Sequence, residues 1–149
     1  MFNKQRVGAR RSGGFTLIEV MVVVVILSIL AAIVVPRIMD RPGQARIVKA
    51  RQDIRALESA LSLYKLDNFV YPTTDQGLEA LVSKPSGSPE PRNWRQGGYL
   101  DRLPKDPWGE PYHYLNPGVH GEYDLYTRGA DNQPGGEDEN ADIGNWNLE

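Results

Sequence analysis

The apolar and polar positions divide this chain into three patterns. From Phe15 to Val35 an apolar run of 21 residues carries a single carboxylate, Glu19. At about 1.5 Å per residue a helix of that length spans about 30 Å, the thickness of a bilayer's hydrocarbon core. From Gln44 to about Asp67 the apolar residues Ile47, Ala50, Ile54, Leu57, Leu61 and Tyr64 recur at spacings of three and four. That period predicts an amphipathic helix with one buried stripe. Arg46, Lys49, Arg51, Asp53, Arg55, Glu58 and Lys65 fall off the stripe and read as a solvated face. Between the two helices, Pro36 and the Asp40-Arg41-Pro42-Gly43 break predict bending or local melting over 36–43.

The second helix should end near Asn68, with Tyr71-Pro72 as a stop. After it the elements are short. Thr74 to Val82 reads as a capped helix with Leu78, Leu81 and Val82 turned inward, and the Pro-, Ser- and Gly-rich stretch from Lys84 to Gly98 as a surface loop. Aromatic and β-favouring residues at Tyr112–Asn116, at Tyr123–Thr127 and around Ile143–Trp146 predict strands. No internal repeat is visible. The implied fold class is α+β, a long N-terminal helix packed on a small antiparallel sheet.

Charge orients the first segment. Lys4, Arg6, Arg10 and Arg11 precede the apolar run without an acid among them, so the positive-inside rule keeps residues 1–14 in the cytoplasm and sends the rest across. An ordinary signal peptide has the same basic start, but the run here ends in Ala31-Ala32-Ile33-Val34-Val35-Pro36 with no small-residue cleavage exit. A carboxylate is equally foreign to such a segment: mid-helix it costs about 2.5–3.5 kcal/mol on insertion scales. Glu19 therefore needs a partner.

Removing the four leader cations leaves 13 basic against 19 acidic side chains, a net charge near −6, which does not suggest nucleic acid as a partner. The chain has no cysteine, so a disulfide framework, a thiol nucleophile and a thiolate zinc site are all excluded. The acids Asp131, Glu137, Asp138, Glu139 and Asp142 cluster after Arg128, the last basic residue, on a loop with Gly129, Gly135 and Gly136. Oxygen donors on a flexible loop suit a hard cation of calcium size, and a solvated acidic turn accounts for the same residues equally well. The spacing is not that of an EF-hand. His113, His120, Trp94, Trp108 and Trp146 have no partner at a recognisable spacing and read as structural. There is no phosphate loop, nucleophile elbow or hydrolytic metal pair, so the chain is not read as an enzyme.

Gly14-Phe15-Thr16-Leu17-Ile18-Glu19 resembles the class III leader site of type IV pilins and pseudopilins, which a prepilin peptidase cuts after the Gly before methylating the new N-terminus. The resemblance implies cleavage between Gly14 and Phe15, N-methylation of Phe15, and retention of the apolar segment as an anchor. The free amine of Phe15 is mostly cationic near neutral pH and would be the partner that Glu19 lacks. Leu61 to Asn68, Tyr71-Pro72-Thr73-Thr74-Asp75-Gln76-Gly77-Leu78, Pro104-Lys105-Asp106-Pro107-Trp108-Gly109 and Gly129-Ala130-Asp131 together are similar to the major pseudopilins of bacterial type II secretion systems. Phe69 departs from the pattern, since many relatives place a Gly after the Asn.

The family implies a pilin-like fold with residues 1–14 as leader, 15–35 as transmembrane and assembly segment, 36–68 as amphipathic periplasmic helix and 69–149 as globular region. It implies a single-pass inner-membrane protein of a Gram-negative bacterium that polymerises, through Phe15 and Glu19, into a periplasmic helical filament. Its expected partners are further copies of itself, minor pseudopilins, the inner-membrane assembly platform and prepilin peptidase. It also implies Ca2+ in the acidic loop, held by the side chains of Asp131 and Asp138 and the backbone oxygens of Arg128 and Gly136. Glu139 stands where relatives commonly have an Asp ligand, and Glu137 and Asp142 stay open. A type IV pilin of a surface fibre is the alternative, disfavoured by the missing cysteines. A membrane-anchored calcium-dependent enzyme is a more distant one, lacking a catalytic pair.

Overall fold

The computed structural model describes residues 13–39 and 41–149, and the chain divides into two units, one through Met39 and one beyond it. The first unit is one helix, α1 (Leu17–Met39). Its start is set by Thr16, whose Oγ1 accepts the Glu19 N–H at 3.3 Å and so satisfies one of the amides left free at a helix N-terminus. Helical assignment runs through Pro36, and the next helix, α2 (Arg41–Asn68), begins before the Gln44 expected from the pattern. Pro42 and Gly43 thus lie in the first turn of α2, where a proline removes an N–H that has no intrahelical partner anyway. Asp40, at the centre of the expected 36–43 bend, lies outside the described residues.

In the second unit the buried stripe is the one the spacing predicts: Ala50, Ile54, Leu57, Leu61 and Tyr64 are buried, and Ile47 packs at the edge. They face a three-stranded antiparallel sheet, β1 (His113–Leu115), β2 (Asp124–Thr127) and β3 (Ile143–Gly144), in that order. Tyr114 pairs with Leu125 and Thr127 with Ile143, and all four are buried with the helix stripe. The alternate positions His113 and Tyr126 stack on the other face, their ring centroids 5.0 Å apart. A Cβ on Gly144 would lie 2.4 Å from the Trp146 ring, which covers this gap in the sheet.

The expected capped helix over 74–82 is instead a turn followed by a single 3-10 segment, Leu78–Leu81. Thr73 and Gln76 do exchange the reciprocal side-chain bonds of a capping box, but Gly77 at φ 63° leaves helical space and ends it. Leu78 and Leu81 are buried as expected, whereas Val82 is only half-buried and Ala80 takes the remaining inward place. Phe69 closes α2 in the left-handed conformation, φ 66°, its N–H bonded to the Lys65 carbonyl at 2.7 Å while its ring is 79% exposed. A glycine would adopt that geometry without the Cβ penalty.

Two buried carboxylates fix the connections around the sheet. Asp106 accepts the Thr127 hydroxyl at 2.5 Å and the N–H groups of Trp108 and Glu110 at 3.0 and 2.8 Å. It therefore ties the Asp106-Pro107-Trp108-Gly109 turn to the end of β2. Asp124 accepts the amides of Val119 and His120 at 2.9 and 3.0 Å and lies 2.9 Å from His120 Nδ1. Burial alone would push the Asp124 carboxyl up, but these hydrogen bonds outweigh it and hold the group below the ordinary carboxylate range. The His120 ring in turn stacks on Trp146 at 3.8 Å, giving it the structural role expected.

Candidate functional site

Two places carry the candidate chemistry, one in each unit. In the first, Gly13 to Thr16 are non-helical, Phe15 is exposed, and a Cβ on Gly14 would meet nothing within 4 Å. Among the described residues nothing packs against position 14, so a larger side chain would find room there. Glu19 stands in the first turn of α1, where a carboxylate is favoured by the unpaired N–H groups. Thr16 and Glu19 have the spacing of a capping box. This local role was legible in Thr16-Leu17-Ile18-Glu19 and adds to the pairing with the Phe15 amine expected from the sequence. No part of Leu17–Val34 is buried. An apolar helix without a covered face needs lipid or other helices around it, which is consistent with anchoring in the inner membrane.

In the second unit the loop between β2 and β3 holds the acidic cluster. Three of its residues, Gly129, Gly135 and Gly136, have φ between 67° and 86°. A Cβ on Gly129 would lie 2.5 Å from the Glu139 carbonyl oxygen, and one on Gly136 would lie 2.4 Å from that of Asn140. The loop is therefore wound tightly over the backbone of 139–140, and glycine is needed at both crossings. The Ala130 amide donates to the Glu139 carbonyl at 2.8 Å, and Gly135 and Asp142 exchange two bonds of 3.0 and 3.2 Å.

Asp131 is exposed and accepts the Gln133 amide at 3.0 Å. Asp138 is exposed at φ 52° and opens a 3-10 turn, Asp138–Asn140, with Glu137 exposed before it. The Glu139 carboxylate points to α2, 3.1 Å from the Arg46 guanidinium. Asp142 keeps one oxygen, Oδ1, buried with no hydrogen-bond partner. The sequence leaves Asp142 open, because only the fold shows that half of its carboxylate is shut away from water. Among the described residues no three carboxylate or imidazole side chains converge on one point. A cation here would rest on one or two side chains together with backbone oxygens, the donor mixture that a hard ion of calcium size accepts.

Residues 37–146 match the family model for type II secretion system protein G, and residues 9–35 match the prokaryotic N-terminal methylation motif. The chain belongs to the protein G family of type II secretion systems. It is 63% identical over 137 residues to the type II secretion system core protein G of Pseudomonas aeruginosa, covering 92% of this chain and 96% of that protein. To its counterpart in Vibrio cholerae it is 64% identical over 140 residues, covering 94% and 95%. The crystal structure of the major pseudopilin of enterohaemorrhagic Escherichia coli superposes with a TM-score of 0.65 at 54% identity, covering 72% of this chain and 92% of that one. The protein is thus a major pseudopilin of the type II secretion system, structural rather than enzymatic, with the pilin-like α+β architecture. The methylation motif implies the secretion machinery and a processing peptidase as partners.

Proposed function

We propose that the chain is cut between Gly14 and Phe15, methylated at Phe15, held in the inner membrane by α1 with residues 36–149 in the periplasm, and polymerised into a periplasmic helical filament that supports export of folded proteins. The observation that carries this reading is the placement of Glu19. It is the sole carboxylate on an apolar helix with no buried face, one turn from the amine that cleavage at Gly14 would create. In a poorly solvated surrounding, a carboxylate and an ammonium from adjacent copies compensate each other and set the axial register of the packed helices. Minor pseudopilins and the assembly platform would meet the same exposed helix. The test is Glu19→Ala in cells: insertion and leader removal, read by mass of the extracted protein, should be retained while filament yield collapses. Wild-type filaments from Glu19→Ala would sink the register role.

We further infer that the acidic loop holds Ca2+ through the side chains of Asp131 and Asp138 and the backbone oxygens of Arg128 and Gly136. The donor chemistry fits: crowded carboxylates of which, among the described residues, only Glu139 has a base beside it, a buried Asp142 oxygen with no hydrogen-bond donor, and a tight glycine-built winding that exposes carbonyls. When bound, the ion would neutralise this charge and fix the loop. Because it binds the folded state, added calcium should raise the melting temperature of the mature protein in detergent relative to chelator, and Asp131→Ala or Asp138→Ala should remove most of that rise. Equal melting in calcium and chelator would leave the cluster a solvated turn.

A further inference from the structure

Glu139 is half-buried and its carboxylate reaches back across the fold to α2, 3.1 Å from Arg46 and 93 residues away in sequence. It can lie there because the helix has no side chain at Gly43. A Cβ on that residue would stand 2.7 Å from Glu139 Cδ and Oε1 and 3.0 Å from Cγ. At the same time the Glu139 backbone oxygen is occupied by the Ala130 amide at 2.8 Å. Both ends of the residue are thus engaged, the backbone within the acidic loop and the carboxylate at Gly43 and Arg46 in the first two turns of α2. We propose that Glu139 is a strut rather than a cation ligand: it clamps the acidic loop onto the first turns of α2 through Arg46, with Gly43 as the slot that admits it.

This proposal rests on the calcium reading only for its second consequence. With the Glu139 carboxylate held by Arg46, the loop's cation affinity comes from other oxygens, and ordering of the loop by an ion is passed through the 139 backbone and side chain to the start of α2. That helix start follows directly on the segment that carries the membrane span. A loop at the far C-terminal end of the sequence would in this way control how firmly the periplasmic domain grips the beginning of its own helix.

The test uses the full mature chain in detergent micelles and hydrogen exchange of the Ile47, Val48, Lys49 and Ala50 amides. In chelator, Arg46→Ala and Glu139→Gln should each speed their exchange several-fold, and the double variant should be no faster than either single one. Additive effects would overturn the strut. Gly43→Ala gives an independent check. A residue of higher helix propensity should slow exchange by that propensity alone, whereas displacement of Glu139 from its slot should speed it. Slower exchange in Gly43→Ala would count against the proposal. With calcium titrated by calorimetry, Glu139→Gln should bind within about threefold of the parent, while Asp138→Ala should lose about tenfold or more. Equal loss in the two variants would make Glu139 a ligand and end the strut reading. If the parent protein takes up no calcium, the calcium reading fails, and the exchange cycle in chelator still decides the role of Glu139.

Discussion

Asp106→Ala should be among the most damaging single substitutions outside the helix stripe. Asp106 is 5% exposed and accepts three hydrogen bonds, from the Thr127 hydroxyl and the Trp108 and Glu110 amides. A hydrogen bond to a charged acceptor contributes about 1.5–3 kcal/mol, so three set an upper bound of roughly 5–9 kcal/mol. The loss should be smaller, because Glu110 is exposed and Trp108 only half-buried, so the two turn amides can regain water. Thr127 is 1% exposed and its hydroxyl cannot, which leaves an expected loss of about 3–4 kcal/mol. For a folding unit of this size, about 4 °C per kcal/mol converts that to a fall of roughly 12–16 °C in melting temperature. Thermal unfolding of the mature protein in detergent, followed by tryptophan fluorescence, measures it. Thr127→Val should lose less, about 1.5–3 kcal/mol, and the double variant less than the sum of the two. A fall equivalent to less than about 1 kcal/mol for Asp106→Ala would show that the turn is held by its backbone bonds alone and that the carboxylate is dispensable.

Gly14→Val should accumulate as an uncleaved membrane precursor, detected by intact mass, although nothing among the described residues forbids the larger side chain; efficient cleavage would contradict the processing site. Phe69→Gly should stabilise the domain by about 0.5–1 kcal/mol, the relief of a left-handed φ less the greater freedom of glycine in the unfolded chain, and an unchanged or lower melting temperature would refute that balance. Asp124, whose folded carboxyl is held below the ordinary range, contributes stability above the unfolded pKa and loses it as pH falls through the folded one. Asp124→Asn should therefore be less stable than the parent at neutral pH and show a shallower loss of melting temperature between about pH 5 and pH 2; parallel acid limbs would exclude it.

The parts of the fold that were legible in the sequence are those in which one local signal dominates. The three-and-four spacing from Ile47 to Tyr64 predicted the buried stripe of α2, because a long amphipathic period leaves one face to bury. The strands at 113–115, 124–127 and 143–144 fell inside their expected stretches. Misreadings came where one residue type serves two ends. Pro42 and Gly43 place the start of the second helix at Gln44, yet proline is tolerated in a first helical turn, so α2 already begins at Arg41, and Gly43 makes room for a side chain from far along the chain. Thr74-Asp75-Gln76 looks like a helix start, and the neighbouring Thr73–Gln76 box closes only a turn because Gly77 turns the chain away. Of the candidate site, the residues near Gly14 and Glu19 needed no tertiary information. The direction of Glu139 and the shielded oxygen of Asp142 depend on contacts across the domain, which no local pattern encodes.

A chain without cysteine must hold its C-terminal segment by other means, and asparagines do much of that work. Asn145 accepts the Leu125 amide at 3.1 Å, donates to the Tyr123 carbonyl at 3.1 Å and adds its own amide to the Leu125 carbonyl at 3.0 Å, joining the last strand to β2 on three bonds. Asn147 accepts the Gly144 amide and donates to the Asp142 carbonyl, at 2.8 and 3.0 Å, and Arg55 of α2 reaches the Leu148 carbonyl at 3.1 Å. Residues 143–148 are thus fastened to sheet and helix by bonds that need no ion. The stretch from Ala130 to Asp142 has a few backbone bonds, an Asx turn and a cluster of like charges. A bound cation would therefore act first on that stretch and, through Glu139 and Arg46, on the first turns of α2. Chelation should loosen the loop and leave the Trp146 stack on His120 in place, so the tryptophan environment and the loop amides should report different responses to the same metal.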